Sequence, residues 1–376
     1  MNGNFKKICH ITTVHSPFDV RIFHKECKTL LKKSGYEVIL IAQNNNNELV
    51  DGINIIALQK AKNRLQRMTF LPFKAFKLAL KQKANIYHFH DPELIVLGVA
   101  LKLFMKKVIY DVHEDIPEQI LSKTYIPKIL RKVILLGFNL IEKNSARFFD
   151  YVITTTDFIK SKFLKYNRKV IDVKNYISKQ YIKNTIDKAS KSNDFIVIFA
   201  GGIYKERGIL EGIKACNMLR ELPVRFLIFG EMDSTYYSEI KEVDTLGRLD
   251  YKGVLPYEKI LMEFAKADIG FVCDYPLKRH MESLPIKLFE YMAVGIPIIA
   301  SNFPLWKEIV EKNNCGICVD PTKPEEIAKA IKYLITHPDE AKKMGENGRK
   351  AVLEKYNWEK ESEKLLNVYK EILDKK

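Results

Sequence analysis

"FIVIFAGGIYKERGILEGIKA", residues 195 to 215, reads as one continuous unit: an apolar run, a glycine pair, a short basic turn and a helix-length amphipathic stretch. A strand that is apolar on both faces and passes straight into a helix belongs in a parallel sheet covered on both sides, because a half-solvated strand would alternate. The same alternation extends outward in both directions. Upstream lie KICHITTV (7 to 14), a helix around 21 to 34, EVILIAQ (37 to 43), INIIAL (53 to 58), IYHFHD (86 to 91), a helix over 93 to 105, KVIYDVH (107 to 113), a helix over 128 to 147 and YVITTT (151 to 156). Downstream lie VRFLIFG (224 to 230), LDYKGVL (249 to 255), IGFVCD (269 to 274), PIIAS (297 to 301) and CGICVD (315 to 320), with helices over 208 to 221, around 235 to 245 and over 257 to 266. The expected class is α/β, with doubly wound parallel sheets.

Only SKQYIKNTIDKASKSND (178 to 194) breaks this regularity and turns polar. It divides the chain into an N-terminal domain over 1–178, a linker over 179–194 and a C-terminal domain over 195–355. A closing helix over 356–376 is free to pack on either domain, the N-terminal one included. A chain of 376 residues with 47% hydrophobic content can fill two cores.

The charge is lopsided. Residues 1–190 hold 33 Lys+Arg against 16 Asp+Glu, whereas the remainder holds 29 against 30. The densest stretch, KAKNRLQRMTFLPFKAFKLALKQK (60 to 83), has eight basic residues, no acidic one, and interleaved Leu, Met and Phe. That mixture suits an anionic membrane surface, and equally a solvated helix whose apolar stripe packs on its own domain. Nucleic acid is not expected, since no helix-turn-helix, RNP-like or zinc-finger pattern accompanies the charge. No apolar run reaches the roughly 20 residues needed to span a bilayer. Six scattered cysteines and no signal-peptide pattern favour the cytoplasm over a disulfide framework, and Cys315-Gly-Ile-Cys318 lacks the second pair that zinc would want.

Neither a G-x-G-x-x-G after a strand nor a Walker sequence is present, which disfavours a dehydrogenase and a P-loop NTPase. Asp-x-Asp is missing too, so any diphosphate is expected to be held without a metal, by positive charge and helix ends. In FAGGIYKERGILEGIKA (199 to 215), Gly202 admits a ligand to the backbone, while Lys205 and Arg207 offer cations; a tight turn with solvated charges is the plain alternative. In ESLPIKLFEYMAVGIPIIAS (282 to 301), Pro285 belongs in a first helical turn, so a helix is expected from Leu284 or Pro285 to Val294, stopped by Gly295. Glu282 then lies in the preceding loop, Ser283 serves as N-cap, the N–H groups of 284 to 286 form an anion seat, and Glu290 stands about 8 Å further along the helix. The alternative pairs Glu290 with Lys287. In HFHD (88 to 91) a metal is conceivable, but cleft lining is the better reading. His15 and Asp19, after the first strand, and His90 are candidates for the acceptor side, with Asp19 equally suited to Arg21.

The stretch 282 to 301 resembles the E-x7-E motif of retaining family-4 glycosyltransferases of the GT-B fold, which consists of two Rossmann-like doubly wound parallel-sheet domains facing a cleft. HSPFDVRIFHKE (15 to 26), YHFHDPEL (87 to 94), YDVHED (110 to 115), GGIYKERGI (201 to 209) and FPLWKEIVEKNNCGICVDPTKPEEIAKAI (303 to 331) also resemble that family, particularly its capsule and exopolysaccharide branch. The resemblance implies that Glu290 holds the donor ribose, Glu282 the transferred sugar, Arg207 the diphosphate, and that His113 approaches the donor sugar and reaction centre. It also implies retaining, metal-independent transfer from a nucleotide-diphosphate sugar to a glycan or lipid-linked acceptor at the inner face of a membrane, with no cofactor. This sequence departs from the family in three places: Gly202 stands where the family commonly has arginine, leaving Lys205 to substitute; Pro285 replaces a common glycine; and TTVHSPFD lacks the usual glycine pair. A sugar-nucleotide epimerase of the same fold and a basic membrane- or nucleic-acid-binding protein are the competing readings.

Overall fold

The computed structural model describes residues 5–33, 35–122, 126–183 and 194–374. Much of the linker expected over 179–194 lies outside them. The chain forms two compact units, one of Met1–Asn175 with Glu359–Lys376, the other of Tyr176–Trp358.

In the first unit the strands are β1 (Lys6–Ile11), β2 (Tyr36–Gln43), β3 (Glu48–Val50), β4 (Ile53–Leu58), β5 (Ile86–Phe89), β6 (Lys107–Val112), β7 (Tyr151–Thr154) and β8 (Val170–Asp172). They form one sheet in the order β3-β4-β2-β1-β5-β6-β7-β8, parallel except where β3 runs against β4. The second unit contains β9 (Phe195–Ala200), β10 (Val224–Phe229), β11 (Leu249–Tyr251), β12 (Ile269–Val272), β13 (Ile298–Ser301) and β14 (Gly316–Val319), all parallel in the order β11-β10-β9-β12-β13-β14. Each sheet is wound outward from its first strand, so the order reverses between β1 and β5 and between β9 and β12. Ligands of open α/β sheets collect at the carboxyl ends of the strands beside such a reversal.

The centre of β9 is buried on both faces, Ile198 and Ala200 among one set of core residues and Val197 and Phe199 among another. That is the continuous burial expected from an unbroken apolar run. Three strands, β3, β8 and β11, have only three residues each, too short to show alternation in the sequence. The helix expected around 21 to 34 begins as a π-helical segment, Val20–Cys27, before continuing as an α-helix over Lys28–Lys32. Its wider winding turns Arg21, Lys25 and Glu26 inward, and all three are buried. The C-terminal helix, Trp358–Asp374, brings Tyr369 into the first unit, where its hydroxyl meets His88 Nδ1 at 2.6 Å and His10 Nε2 at 3.2 Å. The crossing at the other end is tied within the second unit, Trp358 N–H donating to the Ile177 carbonyl at 2.9 Å.

One turn is set by glycine. Gly208 closes the Lys205–Arg207 turn at φ +65°, and a Cβ there would sit 2.2 Å from the Cys273 carbonyl oxygen at the end of β12. Only glycine permits both the left-handed conformation and the close approach. Gly208→Ala is therefore expected to lower the unfolding free energy by about 2 kcal/mol in urea titrations; an unchanged midpoint would mean that the turn yields freely.

Candidate active site

At the carboxyl ends of the first sheet, polar side chains gather below the surface. Asp91, just past β5 and 1% exposed, accepts from the Thr12 hydroxyl (2.9 Å) and the Val14 N–H (3.1 Å), pinning the loop after β1 in place. This carboxylate supplies an anchor for a loop, TTVHSPFD, that contains no glycine. Asp111 at the end of β6 takes both arms of the Arg21 guanidinium at 3.1 to 3.2 Å, while Arg21 Nε also reaches Glu26 at 2.9 Å. Asp19 does not pair with Arg21 through its side chains; its carboxylate caps the π-helical segment, accepting from the N–H groups of Arg21 and Ile22 at 2.8 and 2.9 Å.

His113, past β6, turns Nε2 toward Asp111 (3.2 Å) and toward His90 Nδ1 (3.3 Å). It keeps 16% of its side chain exposed, and its ring lies 5.1 Å from that of His15. His15 is held between Asp19 (3.4 Å) and Asp91 (3.5 Å). Burial disfavours its charged form, but the hydrogen bond to Asp19 and the charge of Asp91 outweigh this and raise its pKa above the ordinary histidine value. His90 differs from expectation. It is 2% exposed, stacked on His10 and hydrogen-bonded to His113, so it supports His113 and offers no surface to an acceptor. Burial pulls its pKa down to about 4, which keeps the ring neutral.

Donor atoms of His10, Glu26, His88 and His90 lie within 4.8 Å of one another, as do those of His90, Asp111 and His113. Both sets have the composition of a metal centre. Arg21, however, stands on Glu26 and Asp111 and already supplies positive charge to both.

In the second unit the candidate anion-binding elements surround the reversal between β9 and β12. Arg207 binds Asp274, immediately past β12, through Nη1 and the Tyr204 hydroxyl through Nη2, with its guanidinium 4.8 Å over the Tyr204 ring. Burial opposes the charge, but Asp274 more than compensates and the Arg207 pKa rises. Arg207 Nε and Asp274 Oδ1 are buried without hydrogen-bond partners. Gly202 lies exposed beside this turn. Lys205 was expected to stand in for the family arginine, but its ammonium is turned away to Glu239 at 3.0 Å, with 61% of the side chain exposed. A short turn of helix aims consecutive side chains in different directions, and only Arg207 faces β12.

Glu282 ends a one-turn helix, Lys278–Met281, and is half-buried. The next helix runs Ile286–Val294 and stops at Gly295 with φ +79°. Its N-cap is Pro285, without a side-chain cap bond. Ser283 was expected in that role, yet its hydroxyl donates backward to the His280 carbonyl at 3.0 Å, because two residues separate it from the helix start. The Ser283 carbonyl accepts from Trp306 Nε1 at 2.7 Å, so a fully buried tryptophan fixes the turn that carries Glu282. Leu284 packs on the core below. Since Pro285 lacks an N–H, the free donors of this end are those of Ile286 and Lys287 rather than of 284 to 286. Glu290, one helical turn further and 5% exposed, lies beside Tyr257, whose pKa is raised by burial and by the Glu290 carboxylate.

Comparison with known proteins adds to this geometry. A Glycosyltransferase Family 4 model matches residues 24–175 and a Glycosyl transferases group 1 model matches residues 182–351. The spore coat protein SA of Bacillus subtilis is 26% identical over 189 residues, covering 46% of this chain and 48% of that protein. The chain spans about half the length of the curated relatives it first matches. Among solved structures, sucrose-phosphate synthase from Thermosynechococcus elongatus superposes with a TM-score of 0.76 at 18% identity, covering 98% of this chain and 99% of the other. HepE from Anabaena, solved in complex with UDP-glucose, gives 0.69 at 15%, covering 97% and 99%. Each half of the chain thus matches a glycosyltransferase family, and its fold is that of the GT-B glycosyltransferases.

Arg21 gives this site its clearest stability test. Arg21→Ala strands two buried carboxylates and is expected to cost about 3 to 5 kcal/mol at pH 7 in chemical denaturation. Arg21→Lys should recover only part, since an ammonium lacks the two-armed fork.

Proposed function

We propose that the chain is a retaining, metal-independent glycosyltransferase that moves a sugar from a nucleotide-diphosphate-sugar donor to a lipid-linked or growing cell-surface glycan. One observation carries the reading: Glu282, the open N-terminus of Ile286–Val294 and buried Glu290 follow one another along the chain, an order that suits a sugar, a diphosphate and a ribose. HepE, which shares the fold, was solved with UDP-glucose. Both matched families are transferases, which weighs against the epimerase and against a lapsed binding protein.

Glu282 would accept hydrogen bonds from hydroxyls of the transferred sugar, and Glu290 from those of the ribose. The bond between the anomeric carbon and the diphosphate oxygen breaks while the acceptor oxygen bonds to the same face, its proton passing to the departing phosphate. Arg207 and the helix N-terminus stabilise the charge that develops there, the electrostatic contribution that commonly dominates such catalysis. His113, oriented by Asp111, is assigned to the reaction centre, and His15 with Asp19 to the acceptor.

The acceptor reading rests on the first unit's surface. Helix Arg64–Gln82 packs Leu71, Pro72, Ala75 and Ala79 inward, yet leaves Leu65, Met68, Phe70 and Phe73 exposed, with Lys74 and Lys77 over the Phe70 and Phe73 rings. Helix Lys128–Ala146 exposes Ile129, Val133, Leu136 and Leu140. No helix among the described residues is long and apolar enough to cross a membrane. Basic residues interleaved with exposed apolar ones suit peripheral contact with anionic lipid at the cytoplasmic face.

Two measurements test these points. UDP or GDP is expected to raise the melting temperature of the wild type and not of Glu290→Ala, with excess EDTA leaving both that shift and sugar transfer intact; a transfer reaction abolished by EDTA and restored by a divalent cation would overturn the metal-independent mechanism. Vesicles rich in anionic lipid should retain the protein at low salt, and Phe70→Ser with Phe73→Ser should release it. Equal retention by neutral vesicles would contradict the charge-based account.

A further inference from the structure

The arginine that the family commonly places after the first glycine of the GG turn is absent here, and Lys205 does not replace it. Another cation does reach the glycine pair, at Gly201 and from a different element. Lys287 is the second residue of Ile286–Val294, and its ammonium extends over the end of β9: a Cβ added to Gly201 would lie 2.8 Å from Lys287 Nζ. Gly201, at φ +138°, leaves the space that the ammonium fills. The same ammonium lies 4.9 Å from the Phe199 ring centroid. Asp274 and Glu290 act on this ammonium through their charges.

This is an adverse place for a cation. The N-terminal turn of a helix is its positive end, where lysine is disfavoured. Arg207 adds a second positive charge close by. Asp274 is committed to Arg207, whose Nε–H is itself buried without a hydrogen-bond acceptor. Burial and Arg207 depress the Lys287 pKa to about 8, against the opposing pull of Asp274 and Glu290. Arg207, Lys287 and a helix end converge here, and a diphosphate would meet the Arg207 Nε–H and the Ile286 and Lys287 N–H groups that these carboxylates leave free.

We propose that Lys287 binds the donor's diphosphate, reaching it from a neighbouring element across Gly201. The inference rests on the donor-site reading above. Because the free ammonium sits near its titration point and a bound diphosphate favours the charged form, binding takes up a proton at and above pH 8. Donor affinity therefore falls as pH rises through that range, approaching tenfold per pH unit once the free lysine is neutral.

The test titrates UDP, GDP, uridine and guanosine into the wild type, Lys287→Met and Lys287→Arg between pH 6.5 and 9.5 by calorimetry, in buffers of different ionisation enthalpy. The expected result is that the better nucleotide binds the Met variant 10- to 100-fold more weakly at pH 7 and without the alkaline fall or proton uptake. Lys287→Arg should keep the affinity and lose the pH dependence, while the matching nucleoside binds all three alike. The Met variant should melt no lower than the wild type without ligand, since it removes a poorly placed charge. If the Met variant binds the nucleotide as tightly as the wild type with the same pH profile, or loses the nucleoside in equal measure, the inference is overturned. If the wild type binds neither nucleotide at any pH, the donor-site reading itself fails.

Discussion

The proposed phosphate seat has to hold positive charge before any phosphate arrives, and the second unit gathers such charge in one place. At the reversal between β9 and β12 it assembles Arg207, Lys287 and a helix N-terminus. Asp274 takes up part of this charge, and burial shifts Lys287 toward neutrality. The remaining features of the turn serve the same end: Gly208 lets the Arg207 turn touch the end of β12, Gly201 gives the lysine room, and Trp306 holds the Ser283 carbonyl so that Glu282 keeps its station.

The first unit solves a different problem. Arg21, Glu26, Asp111 and three histidines are almost wholly buried, an arrangement that costs stability unless charges are paired and hydrogen-bonded. The two-armed Arg21–Asp111 contact meets most of that requirement, and burial keeps His10, His88 and His90 neutral. Only His15 and His113 rise from this network to partial exposure. The buried cluster thereby orients the two histidines that face outward.

The α/β class was legible because strands such as FIVIFA and ILIA are apolar without interruption, a pattern that burial on both faces imposes. The helix after Pro285 and its stop at Gly295 were legible from backbone chemistry alone, to within two residues. What stayed hidden depends on direction rather than spacing. Nothing in VRIFHKEC separates a π-helical winding from an α-helical one, though the winding decides that Arg21 and Glu26 point inward. Nothing in IYKER tells which of its two cations turns back toward the sheet. Lys287 was visible as a helical neighbour of Glu290, yet its reach to Gly201 requires the fold that brings β9 alongside. His90 looked like surface because its strand ends there, whereas the fold buries it among His10, His88 and His113.

A crystal structure of the protein with UDP or GDP bound would bear most directly on the central claim. The account predicts the diphosphate at the Ile286 and Lys287 N–H groups, with Arg207 and the Lys287 ammonium within about 3 Å of its oxygens, and the ribose hydroxyls on Glu290. A nucleotide seated elsewhere, or one whose diphosphate leaves the Ile286–Val294 N-terminus untouched, would contradict it.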